Sequence, residues 1–211
     1  MSSKISLPRW LATAVLLACC GWALSIWVSA GAVQWVATQT EHRLDVSPAE
    51  RAGLVDRLQT VAGFTPASPM LLEALVRLEP APGKQLDFLE QLLVLRPADS
   101  EALARQFSLR LDLGLNDEAT DDALRNSLAV GGWEPRALEM IVDAGTFHWL
   151  ALSAEARGLV LEAARRRLIN PHGWRIDEML RLIRSRGFLR ITCAALAEQQ
   201  PELPGYCLNY R

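Results

Sequence analysis

The chain has 211 residues, of which 50% are hydrophobic, four cysteines, and a formal net charge of −2 at neutral pH. So small a charge supplies no overall field that would draw the protein to nucleic acid or to an anionic surface. Residues 10–40 carry no charged side chain, and the roughly 170 that follow the apolar stretch suit one domain or one short helical solenoid rather than several domains.

Residues 11–37 are mostly apolar. A helix over them is about 40 Å long at roughly 1.5 Å per residue, enough to cross a hydrocarbon core of about 30 Å with some tilt. Trp10 and Trp35 sit near the two ends, as interfacial aromatics do in a retained span. Two other readings compete. Ala30-Gly31-Ala32 supplies a small-residue cleavage site, but the apolar run before it is longer than a secretory signal needs. Leu16-Leu17-Ala18-Cys19 resembles a lipoprotein signal, but the residues after it stay apolar where a solvated tether is expected. The expectation is a transmembrane helix over residues 10–37, with residues 1–9 cytoplasmic and a linker over 38–46. Basic residues are nearly balanced on the two sides, with Lys4 and Arg9 before the span and Arg43, Arg51 and Arg57 after it. Long domains translocate largely regardless of charge, so the compact basic N-terminus is placed in the cytosol and the body outside it.

From Ser47 onward the pattern is helix after helix. Ser47-Pro48 with Glu50 makes a capping box with proline at the first helical position, and Ser68-Pro69 opens a second helix. Leu71, Leu72, Leu75, Val76 and Leu78, and then Leu86, Leu89, Leu92 and Leu93, recur at helical spacing. Further helices are predicted from Asp99 or Ser100 to Gly114, from Asp117 to Gly131-Gly132, and from Glu134-Pro135 to Gly145. The last three run from Ser153 to before Pro171, over 174–185 and over 188–199. Nothing reads as a strand. The fold class is therefore all-α, one N-terminal transmembrane helix followed by antiparallel helical pairs over 47–200 and a tail over 201–211. Leu111-Asp112-Leu113-Gly114 followed by Asp117-Glu118-Ala119 is similar to the turn inside a tetratricopeptide (TPR) repeat, although Gln106 and Arg110 depart from that repeat's first helix and no regular 34-residue array is evident.

Three groups of residues stand out as candidate sites. Trp133 and Arg136, in the string Gly131-Gly132-Trp133-Glu134-Pro135-Arg136, and with them Trp149, are candidates for a partner-binding surface, because Trp and Arg carry much of interface energy. The alternative is that Trp133 plugs a gap between helical pairs. Arg165, Arg166 and Arg167 lie in a basic part of the chain that could hold an anionic ligand such as an acidic glycan, the alternative being a solvated face with local ion pairs. Cys193 and Cys207 enclose a loop with two prolines and a glycine; a bridge there would contribute about 3 kcal/mol and persist only in an oxidising compartment. The alternative is two unrelated thiols.

The Trp133-Glu134-Pro135-Arg136 step after a TPR-like helix, Asp143-Ala144-Gly145 followed by Trp149, and the arginine-rich helix over 157–167 together resemble VpsP-type polysaccharide-biosynthesis proteins across roughly residues 92–193. The resemblance implies a small protein anchored in the bacterial inner membrane, with a periplasmic helical body acting in assembly or export of a surface polysaccharide. It supplies no catalytic residues. The chain shows no GxSxG, HExxH or phosphate-binding glycine loop, and its histidines are scattered. The expectation is a non-enzymatic accessory protein with no cofactor, no metal and no nucleic-acid partner, which docks polysaccharide-assembly membrane proteins. An envelope adaptor unconnected with polysaccharide, or a binder of acidic glycan, is the alternative.

Overall fold

A computed structural model describes residues 9–42, 47–62, 68–169, 176–197 and Cys207. Among these residues every regular element is helical. Contacts divide the chain into two compact units, Met1–Pro80 and Ala81–Arg211.

The first unit holds α1 (Arg9–His42), α2 (Pro48–Ala62) and α3 (Pro69–Leu78). Over Leu11–Val28, α1 is long and apolar enough to cross a membrane, and none of that stretch is buried by the protein itself. The helix outruns the predicted span and occupies the first residues of the predicted linker. An α-helix satisfies its own backbone, so it need not stop where the apolar sequence does. At the start of α2 the capping box forms: the Ser47 backbone N–H donates to Glu50 Oε2 at 3.0 Å, and the Glu50 N–H to Ser47 Oγ at 3.3 Å. Leu71, Leu72, Leu75, Val76 and Leu78 are the buried face of α3.

In the second unit α4 (Pro82–Leu95) packs on α5 (Ser100–Asp112), and three helical pairs then stack. They are α5 with α6 (Glu118–Val130), α7 (Pro135–Phe147) with α8 (Ala154–Ile169), and α9 (Ile176–Ser185) with α10 (Leu189–Ala197). First helices meet first helices, α5 on α7 and α7 on α9; second helices meet second helices, α6 on α8 and α8 on α10. The second helices begin at Glu118, Ala154 and Leu189, which are 36 and 35 residues apart. One apolar core runs through the pairs, from Phe107 and Leu124 through Ile141 and Val160 to Ile183 and Leu196.

Local signals set the boundaries. Asp99 accepts a hydrogen bond from the Ala102 N–H, Asp117 from that of Thr120, and Ser153 from that of Ala156, so each caps the helix that follows. After α5, Gly114 adopts φ 73°, and the Leu115 N–H reaches back to the Arg110 carbonyl, a Schellman ending that a side chain would strain. At Gly145 the sequence reading is corrected. The helix does not stop there but continues to Phe147. A Cβ at Gly145 would lie 2.3 Å from Val160 Cγ2, so this glycine is a contact point between α7 and α8 and not a terminator.

Gly145→Ala is therefore expected to destabilise the fold by about 1 to 3 kcal/mol through overpacking, read from the midpoint of denaturant unfolding. Combining it with Val160→Ala should recover part of that loss, and strictly additive effects would contradict the contact.

Candidate functional site

The three consecutive arginines do not form one cluster. Successive residues of a helix leave it about 100° apart, so Arg165, Arg166 and Arg167 project in different directions and each meets a different set of partners. Arg165 donates to both oxygens of Glu162, at 2.6 and 2.5 Å. Arg166 donates to Glu162 Oε1 at 2.7 Å and, from Nη1, to the Leu128 carbonyl at 3.0 Å and that of Gly132 at 3.5 Å. It thereby covers the C-terminal end of α6, and it fits because Gly132 has no side chain: a Cβ there would sit 2.5 Å from Arg166 Nη1. Arg167 is 2% exposed and directs Nε and Nη2 to Glu139 Oε1 on α7, at 3.2 and 3.0 Å. The three arginines expected to hold an anion thus each have intramolecular partners: Arg165 and Arg166 pair with Glu162 along α8, Arg166 also reaches the end of α6, and Arg167 crosses to α7. Hydrogen bonds from Arg165, reinforced by Arg166, outweigh desolvation and hold the Glu162 carboxyl below the usual glutamate range, and Glu162 in turn raises Arg165.

The proposed aromatic surface also divides. Trp133 is 58% exposed in the turn between α6 and α7, with Val130 and Arg136 exposed near it in sequence. It does not plug a gap between pairs. Trp149 lies beyond the other end of α7, whose 13 residues span about 20 Å. There it is half-buried, edge-to-face on Phe188 with ring centroids 4.8 Å apart and the Arg157 guanidinium 5.7 Å from its ring centroid.

Around Trp149 is a feature that was not singled out in the sequence. Phe147 is 62% exposed and Leu150, in the 3-10 turn Trp149–Ala151, is 91% exposed. With Trp149, Ala151 and Phe188 they border an open groove of about 380 Å³. His148 Nε2 lies 2.9 Å from Asp112 Oδ1 at the end of α5, which ties this tip to the neighbouring pair. The signal was present as Phe147-His148-Trp149-Leu150, an uncharged run at and just beyond the end of a helix. A second groove, about 300 Å³, lies between α7 and α9 and is lined by Glu139, Met140, Asp143, Glu178, Met179 and Leu182. Among the described residues no group of three or more His, Cys, Asp or Glu is placed to hold a metal.

Cys193 and Cys207 are joined, with Cα atoms 5.5 Å apart, and both are buried in the core of the last pair. The bridge closes a loop with a sequence separation of 14, for which chain entropy gives about 3 kcal/mol. Cys19 and Cys20 are unbridged on α1. Comparison with protein-family models, curated proteins and solved structures finds no match to this chain.

Two outcomes are expected. Glu139→Ala removes the carboxylate that faces the buried Arg167 guanidinium and should cost about 3 kcal/mol, with Glu139→Ala/Arg167→Met losing less than the single variant in thermal or denaturant unfolding. At Glu162 the folded-state pKa is depressed, so the pair's contribution is complete above the ordinary value of 4.5 and disappears as pH falls through the folded value. Glu162→Gln should then lower stability by about 1 to 2 kcal/mol at neutral pH, and its difference from the parent should shrink in melting curves below about pH 4.

Proposed function

We propose that the protein is a non-enzymatic docking platform, anchored in the inner membrane by α1 and acting through its helical body in the periplasm on proteins of exopolysaccharide assembly or export. The observation that carries the docking reading is Trp133. A tryptophan more than half exposed beside Arg136, on the turn that joins the α5/α6 pair to the α7/α8 pair, is the residue type and exposure from which interface anchors are made. Stacked pairs with a period near 35 residues support a TPR-like platform, since such arrays work by presenting continuous surfaces. The bridge between Cys193 and Cys207 supports an oxidising compartment. The polysaccharide process rests on the resemblance of residues 92–193 to VpsP-type proteins.

The test is chemical crosslinking in intact membranes followed by affinity recovery of the full chain. Polysaccharide polymerase, export or chain-length proteins are expected among the recovered partners, and Trp133→Ala/Arg136→Ala is expected to reduce their recovery about tenfold or more, as loss of an anchor does. Partners drawn only from other envelope processes would overturn the polysaccharide assignment, and recovery unchanged in the double variant would overturn the Trp133 site.

A further inference from the structure

We propose that the tip Phe147-His148-Trp149-Leu150 is a second contact with the bilayer, its apolar side chains entering the boundary between headgroups and acyl chains while Arg157 faces an anionic headgroup. This rests on the reading that α1 holds the chain at a membrane.

Three independent features of the tip fit a lipid interface. The first is residue type: Phe, Trp and Leu beside Arg are the side chains that interfacial segments use, and Leu150 and Phe147 stand out of the fold at 91% and 62% exposure. The second is the backbone. A turn leaves water more readily when its polar groups are satisfied from within, and here the carbonyls of His148, Trp149 and Leu150 are. The His148 carbonyl accepts from the Ala151 N–H at 2.9 Å, that of Trp149 from Arg157 Nε at 3.0 Å, and that of Leu150 from Arg157 Nη2 at 3.3 Å. The third is charge. Near the tip Asp143 is paired with Arg186, whose guanidinium also lies 4.8 Å from the Phe147 ring centroid, and Asp112 is hydrogen-bonded to His148. Arg157 bonds only to carbonyls and makes no ion pair among the described residues, so a positive charge stands uncompensated beside Trp149.

A protein partner fits less well. The tip is a short projecting turn whose carbonyls are occupied, so it offers little of the hydrogen-bonding rim that protein interfaces carry. A tether in the same bilayer, by contrast, makes lipid contact intramolecular in effect, so that a few side chains suffice. With one end of α7 at the lipid, the Trp133 end, about 20 Å away along the helix, is left free for docking.

The experiment uses the full-length chain with Cys19→Ser and Cys20→Ser, carrying either Leu150→Cys or, as a reference, Val94→Cys, another strongly exposed apolar position at 81%. Each is labelled with a polarity-sensitive fluorophore and reconstituted into phosphatidylcholine vesicles with or without phosphatidylglycerol, the lipids bearing brominated acyl chains. We expect the label at position 150 to be quenched at least threefold more than that at 94 when phosphatidylglycerol is present, and less in its absence. Protein that does not float with the vesicles in a density gradient would overturn both the anchor and the tip contact. Protein that floats but shows equal quenching at the two positions would overturn the tip contact alone. Equal quenching at position 150 in both lipid mixtures would overturn the role of Arg157, and a label that leaves water only when solubilised membrane proteins are added would assign the tip to a protein partner instead.

Discussion

Helix α7 meets α5, α8 and α9, and its approach to α8 is the contact on which the second unit depends. Gly145 brings the α7 backbone against Val160, and one turn and a half earlier Glu139 receives the buried Arg167 guanidinium. A missing side chain and a buried ion pair have opposite tolerances. The first accepts no added atom, and the second accepts no lost partner, because an isolated charge in the core is costly to keep. Together they fix both the distance and the register of α7 on α8, and therefore which residues reach the surface at each end of α7.

This use of α8 explains why its run of basic residues does not gather into one cationic cluster. Arg166 reaches carbonyls at the end of α6, where helices leave acceptors unsatisfied. Arg165 shares Glu162 with it, and Arg167 crosses to α7. Guanidinium suits all three tasks, since it remains charged and offers several donors in a fixed plane. A helix rich in arginine can thus serve as an internal fastener between pairs, with the charge that looks available in the sequence already directed inward or along the helix.

Packing the two faces of α7 leaves its ends exposed. One end carries Trp133 and Arg136, and the other the Phe147 to Leu150 tip, stiffened by His148 with Asp112 and by Arg157 on the turn's carbonyls. Among the described residues α10 is the last helix of the array, and its Cys193 is bridged to Cys207 in the core, a covalent tie within the last pair.

Much of the secondary structure was legible in the residues alone, because caps and breakers act within one turn. Ser47 with Glu50, Asp99, Asp117 and Gly114 each marked a boundary that the structure keeps, and the uncharged stretch from Leu11 marked a helix able to cross a membrane. Tertiary packing decided the rest. Gly145 has the same local meaning as Gly114 until Val160 arrives beside it. The period near 35 residues was hidden because it is carried by which helices touch, and many apolar side chains can fill the same contact. The fates of Trp149, Arg166 and Arg167 depend on partners 28 to 39 residues away: Phe188 for Trp149, Leu128 for Arg166 and Glu139 for Arg167. Separations of that size are set by the stacking of pairs, and no local pattern encodes them.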